Sequence, residues 1–186
     1  LAERGHRCVA ADLRVDDVDG LGAAAPFARR LSRMFGRVAA SFDALPVRPR
    51  LFDLVVFDAS LHLAEDLARV LAEAARAVAP GGRVAVLDSP FYARAASGEA
   101  MRAEKRRETA ARFADAAEDL LALSPVEFLT KERLASAAAP AGLEFRRRRV
   151  LYPAAYEARR VVARLKGARA PSRFDLWVAR APGGAA

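Results

Sequence analysis

A chain of 186 residues, 53% hydrophobic and 29% charged, has the size and make-up of one globular domain with a substantial core. Its single cysteine, Cys8, excludes an intramolecular disulfide and any multi-cysteine metal cluster. The formal net charge of +8 is carried almost wholly by arginine, spread along the chain rather than gathered on one face, so no specific nucleic-acid role is expected. No apolar run reaches the roughly 18 residues that span a bilayer, and the first residues lack the apolar core of a signal peptide. The expectation is a cytoplasmic protein with no membrane partner.

In chain order, Leu1 to Arg4 read as the last turn of a helix with Gly5 as its C-cap. A chain that opens on a helix tail is expected to be N-terminally truncated. A strand follows, Arg7 to Ala11, ending in Asp12, with Cys8 as a small buried hydrophobe within it. Val15 to Gly22 is a loop. Ala23 to Phe35 carries Phe27, Leu31 and Met34/Phe35 at helical spacing, with Arg29, Arg30 and Arg33 turned outward. Arg37 to Phe42 is a short strand closed by Asp43-Ala44-Leu45-Pro46.

The chain is organised around Phe52 to Pro90, which reads as strand, helix, strand. Leu54 to Phe57 is an apolar, β-branched run, expected to be buried on both faces. From Leu67 the period changes. Leu67, Val70, Leu71, Ala74, Ala75 and Val78 line one helical face, Glu65 and Asp66 fall in the first turn, and Glu65 can meet Arg69. Pro80-Gly81-Gly82 stops that helix, and Val84 to Leu87 forms the second strand. Two such strands joined by a helix predict parallel neighbours. Open α/β sheets bind ligands beyond the carboxyl ends of their strands, here Asp58-Ala59-Ser60-Leu61-His62 and Asp88-Ser89-Pro90.

Phe91 to Gly98 is a loop with Phe91 and Tyr92 as pocket aromatics, and Glu99 to Leu123 a long helix ended by Ser124-Pro125. The charged half of that helix is a solvated face or a cover over the site. Thr130 N-caps a helix to about Ala139, ended by Gly142. Leu143 to Leu151 is a strand with four successive arginines, Arg146 to Arg149, two on each face. Only an edge strand tolerates that. Ala154 to Leu165 is an amphipathic helix. Arg173 to Arg180 is the last strand, alternating Phe174, Leu176 and Val178 with Asp175, Trp177 and Ala179, before a disordered tail, residues 181–186.

The run Asp53-Leu-Val-Val-Phe-Asp-Ala-Ser-Leu-His62, then Ala79-Pro80-Gly81-Gly82-Arg83 and Asp88, resembles class I S-adenosylmethionine-dependent methyltransferases. Asp12 after one strand, Asp43-Ala44-Leu45-Pro46 after the next and the Trp-bearing final strand extend the likeness over nearly the whole chain. The resemblance implies a Rossmann-like, doubly wound α/β fold, a single domain over residues 1–180. Its sheet is mostly parallel with an antiparallel last strand, in the order Arg37–Phe42, Arg7–Ala11, then Leu54–Phe57, Val84–Leu87, Phe174–Ala179, Leu143–Leu151. The family's first strand and glycine-rich loop, roughly 30 residues, would precede Leu1, with that strand lying between Arg7–Ala11 and Leu54–Phe57. Binding of the donor's methionine half is therefore expected to be weakened.

The resemblance further implies that Asp12 accepts from ribose hydroxyls and Leu13 packs on adenine. Asp43 accepts from the adenine amino group beside the Ala44 N–H, and Asp58, Ala59 and Ser60, on to His62, line the sulfonium side. His62 is the one candidate for catalysis. Each also has a plainer reading: Asp12 and Asp43 as strand-end turn formers, His62 as a residue on the approach to a helix. Methyl transfer from an activated sulfonium needs alignment and a dry pocket, and a base only where the acceptor has a proton to lose. The acceptor implied is a small molecule. A nicotinamide-dependent Rossmann oxidoreductase and a non-catalytic basic binding module stand as alternatives, and the sequence leaves the oligomeric state open.

Overall fold

The computed structural model describes residues 1–31, 33–113, 117–118 and 125–183. They fall into two compact units, Leu1–Arg48 and Pro49–Ala186.

In the first unit, Ala2–Arg4 form one 3-10 turn. Gly5 closes it at φ 81°, its N–H donating to the Ala2 carbonyl at 2.9 Å, the glycine cap expected there. Strand β1 (Val9–Asp12) pairs in parallel with β2 (Gly36–Ala39), Val9 opposite Gly36 and Asp12 opposite Ala39. Both strands are shorter than predicted, and Cys8, half-buried, lies just ahead of β1. The helix expected over Ala23 to Phe35 is corrected: the segment is a 3-10 helix, Leu21–Arg29, ending at Arg30. Pro26 sits inside it, without an N–H to donate and with a ring that crowds the preceding turn, so the α-ladder does not propagate. Phe27 stays about half exposed.

In the second unit, β3 (Phe52–Asp58), helix α1 (Leu67–Ala77) and β4 (Val78–Leu87) form the predicted strand–helix–strand, with β3 and β4 parallel and Asp58 opposite Leu87. Leu67, Val70, Leu71, Ala74 and Ala77 are the buried face of α1. Asp66 stands at the N-cap rather than in the first turn, accepting from the Arg69 N–H at 3.0 Å. The helix stops at Ala77, and Val78 already pairs with Phe52 in the sheet. Pro80 explains the early stop: its ring excludes helical geometry at the residue before it and clashes with the carbonyl four residues back. Leu54 and Val56 are 41% and 38% exposed, so β3 is not buried on both faces. It is the outermost strand of its sheet, and one of its faces stays open.

The sheet order is β3-β4-β6-β5, with β5 at Arg146–Arg148 and β6 at Leu176–Arg180. Strand β6 runs antiparallel to both neighbours, and the arginine strand is the edge, as expected. No ladder joins β1 to β3 among the described residues. The buried face of β6 is Trp177 and Ala179, continued by Asp175 just ahead of the strand, rather than the more apolar alternate set.

Helix α2 (Ala95–Phe113) begins four residues before the predicted Glu99. The expected extension to Leu123 and the breaker Ser124 involve residues 114–116 and 119–124, which lie outside the described residues. Gly98 faces Phe128 so closely that a Cβ there would lie 2.3 Å from the ring. Helix α3 (Lys131–Ala138) is capped as expected, Thr130 Oγ1 accepting from the Arg133 N–H at 3.1 Å. Thr130→Ala should cost about 1 kcal/mol in a urea melt, because the cap oxygen is buried and nothing else satisfies that donor. Gly142, at φ 66°, ends the short 3-10 turn after α3. Helix α4 (Ala154–Leu165) has no buried residue. The Ala181 N–H donates to Gly82 at 2.9 Å, and residues 184–186 of the expected tail lie outside the described residues. No helix of the described residues is long and apolar enough to cross a membrane.

Candidate functional site

Within each unit, taken by itself, the carboxyl ends of the parallel strands carry predicted site residues. In the first unit, β1 ends in Asp12 and the Ala40 N–H donates to the Asp12 carbonyl at 3.1 Å, so the ends of β1 and β2 lie side by side. The Asp12 side chain is exposed. One of its oxygens accepts from the Arg14 N–H at 2.8 Å, the turn geometry of the plainer reading, and this leaves the second oxygen available to a ligand. Leu13 is 70% exposed, an apolar side chain held out at a strand end. Asp43 lies four residues beyond β2 and accepts from the Ser41 hydroxyl. The Ala44 N–H is turned to the Ser41 carbonyl at 3.2 Å.

In the second unit, Asp58 ends β3 and Ala59 takes φ 48°, its N–H reaching back to the Leu87 carbonyl at 3.2 Å. Asp88, at the end of β4, takes φ 44°. Two non-glycine residues in the left-handed region, both at strand ends and side by side in the sheet, are strain of the kind that gathers where backbone is shaped around a ligand. Ser60 precedes the 3-10 turn Leu61–Leu63, whose Leu61 is fully buried and holds His62 in place.

His62 is half-buried, with Nδ1 3.4 Å from the hydroxyl of Ser89. Burial, and after it the positive charge of Lys105, push its pKa below the ordinary 6.5, so the ring is neutral at neutral pH. Lys105 is held on α2 by Glu127 at 3.4 Å, and Arg102 reaches the same carboxylate at 2.9 Å. Glu127, at φ 60°, donates its N–H to the His62 carbonyl at 2.7 Å. The charged half of α2 is thus tied to the His62 segment by ion pairs.

Phe91 and Tyr92 are core rather than pocket walls. Phe91 stacks on Trp177 at 4.7 Å, and Tyr92 meets Phe128 edge-on at 5.8 Å while its hydroxyl accepts from Arg169 at 3.2 Å. Two further side chains stand at this end of the sheet: Ser89, inside the strand-end run Asp88-Ser89-Pro90 expected to border the site, and Tyr152, which the sequence did not single out. Ser89 is almost fully buried beside His62. Tyr152 donates its hydroxyl to the Phe174 carbonyl at 2.9 Å, and burial first, then the charge of Asp88, raise its pKa. Tyr152 lies in the connection between β5 and β6 and carried no signal.

That connection also holds a charged network. Asp175, 2% exposed, accepts from Arg147 at 2.6 Å, from Arg173 at 3.2 Å and from the Val150 N–H at 3.0 Å. Burial would raise its pKa, but these bonds together hold it below the ordinary carboxylate value. Glu157 takes Arg173 through both oxygens at 2.9 and 3.0 Å and Arg149 at 3.1 Å, and its pKa falls to about 2, chiefly through the Arg173 hydrogen bonds. Among the described residues no group of three or more His, Cys, Asp or Glu could hold a metal ion.

Residues 1–86 match a family described as a methyltransferase domain. No curated protein matches the chain. Among solved structures, a protein of Bacillus halodurans C-125 named as a candidate methyltransferase superposes with TM-score 0.63 at 18% identity, over 95% of this chain and 84% of that one. A SAM-dependent methyltransferase of Methanosarcina mazei gives 0.58 at 12% identity, over 98% and 85%. The [4+2]-cyclase SpnF gives 0.60 at 20% identity, over 96% and 67%, so the architecture is not confined to one chemistry. The methyltransferase-domain match thus covers residues 1–86, just under half of the chain, and the described residues share the Rossmann-like architecture of these solved structures.

Proposed function

We propose that the chain transfers a methyl group from S-adenosylmethionine to a small-molecule acceptor by in-line displacement. The observation that carries the reading is the methyltransferase-domain match over residues 1–86, which includes both strand-end acids, Asp12 and Asp43. The residues fit a nucleoside. Asp12 offers an exposed carboxylate oxygen for ribose hydroxyls, Leu13 an exposed apolar surface for adenine, and Asp43 an acceptor for its amino group. The Ala44 N–H could donate to the ring only by giving up its bond to Ser41. Asp58, Ala59 and Ser60, where the chain bends out of β3 with Ala59 at φ 48°, are proposed to line the sulfonium side.

When bound, the cofactor supplies an electrophilic methyl group on a sulfonium. The protein's part is alignment and exclusion of water. His62 has the one protonation state a base needs: it is neutral at neutral pH, fixed by the Leu61–Leu63 turn and set beside the buried Ser89 hydroxyl. It would take the proton that an O–H or N–H acceptor loses as the methyl arrives.

The antiparallel β6 and the Pro80-Gly81-Gly82 turn weigh against the nicotinamide alternative, and the scattered arginines against specific nucleic-acid binding. The proposed setting is the cytoplasm, which suits a chain whose lone cysteine forms no intramolecular disulfide. Calorimetry with S-adenosylmethionine tests the site. Asp12→Ala should weaken binding by about one to two decades, the loss of a charged hydrogen-bond pair worth about 1.5–3 kcal/mol. Unchanged affinity would return Asp12 to the role of turn former.

A further inference from the structure

Strand β6 begins at the carboxyl end of β4, with Trp177 opposite Val86, and β5 ends beside it, with Arg148 opposite Leu176. The connection between β5 and β6, which contains α4, therefore leaves and rejoins the sheet at the end where β4 delivers Asp88. The influence of the Asp88 charge on Tyr152 agrees with that placement. An open groove of about 570 Å³ lies here, lined by Arg147, Arg149, Glu157, Arg160, Val161 and Arg173.

The groove is over-supplied with positive charge. Four guanidiniums line it, and the carboxylates that meet them are Glu157 and the buried Asp175 beneath. Both carboxylates are spent: Asp175 binds Arg147, Arg173 and the Val150 N–H, and Glu157 binds Arg173 and Arg149. Arg160 meets no carboxylate among the described residues. The network holds Arg147, Arg149 and Arg173 with their planar forks in fixed positions, the pre-organisation that favours a carboxylate or phosphate over a neutral group. One wall is apolar. Val161 is 62% exposed, and Leu165, one turn further along the same helical face, is 82% exposed.

We propose that this groove binds the oxyanion of an amphiphilic methyl acceptor, a carboxylate or phosphate held by Arg149 and Arg160, with the acceptor's apolar body against Val161. The role as acceptor rests on the methyl-transfer reading; the anion site does not.

Calorimetry on the full chain with octanoate, octyl phosphate, inorganic phosphate and 1-octanol tests it. The expected result is saturable binding of an octyl oxyanion at one per chain, tighter than inorganic phosphate and than 1-octanol. The stronger of octanoate and octyl phosphate identifies the oxyanion. The double variant Arg149→Gln/Arg160→Gln should lose about fivefold or more in affinity for the oxyanions, as two exposed charge-assisted contacts go. Val161→Ser should weaken the octyl probes and leave inorganic phosphate unchanged. Val161 and Arg160 are exposed, so these variants should fold, which circular dichroism checks. Binding of 1-octanol equal to octanoate, affinity unaffected by the double variant, or no saturable binding would each overturn the groove. S-adenosylmethionine, titrated into the same samples, separates the two readings. If the probes bind and the cofactor does not, the methyl-transfer reading fails and the groove stands; the reverse overturns the groove alone.

Discussion

Asp175→Ala should destabilise the second unit by about 3–5 kcal/mol, read as a lowered urea midpoint at unchanged slope. The carboxylate is 2% exposed and neutralises Arg147 and Arg173 while capping the Val150 N–H. Removing it leaves Arg173, 12% exposed at the side chain, with Glu157 as its one carboxylate beside a bond to the Val150 carbonyl at 3.3 Å, and leaves the Val150 N–H unpaired. That is the costly case for a buried ion pair: one partner deleted, the other charge still inside. Asp175→Asn should recover part of the loss, since an amide oxygen can still accept. The pH dependence has a definite sign. Both Asp175 and Glu157 have pKa values lowered by folding, so their contribution is complete above about pH 4.5 and is lost as pH falls toward the folded values, about 2 for Glu157. Acid should therefore loosen the β5–β6 connection. A midpoint unmoved by Asp175→Ala would show that the network is not what holds it.

His62→Asn should lower methyl transfer by about two to four decades once an acceptor that loses a proton is supplied, the usual span for a general base. Cofactor binding should be little changed. The rate in the unaltered protein should rise with pH through a midpoint below 6.5 and then stay flat, because burial and Lys105 both favour the neutral ring. Lys105→Ala should move that midpoint upward by removing the smaller of the two causes. Asparagine keeps a polar side chain of similar reach, so loss of the pH dependence in His62→Asn would assign the titration to the ring. A rate unaffected by the change would show that His62 is not the base and only shapes its turn.

How far the chain can be read without coordinates depends on how local each determinant is. The central strand–helix–strand was legible because its period switches from apolar run to helical spacing and back within forty residues. The caps at Gly5 and Thr130 were legible for the same reason. The edge position of Arg146–Arg148 followed from one rule, that four arginines in a row cannot be buried on both faces. The antiparallel direction of β6 came only with the family resemblance.

What failed turned on competition or on distance. Pro26 overrode the spacing of Phe27 and Leu31, and Pro80 ended α1 three residues before the proline itself. In β6 the alternation left two choices of inner face, and the set with fewer aliphatics won. Trp177 finds Phe91 to stack on, and the charge of Asp175 is met by arginines, one of them 28 residues away along the chain. At the site, the strand-end acids were visible one by one. The neighbours that set their chemistry, Ser89, Lys105 and Tyr152, reach them only through the fold.

The most direct test of the account is to titrate the isotopically labelled chain with S-adenosylhomocysteine and with NAD while following backbone amide resonances. The adenosyl thioether should shift the signals of Asp12, Leu13, Asp43 and Asp58 to Ser60 saturably, and NAD should not. Saturable shifts with NAD, or shifts with the thioether that avoid both groups of strand-end residues, would contradict it.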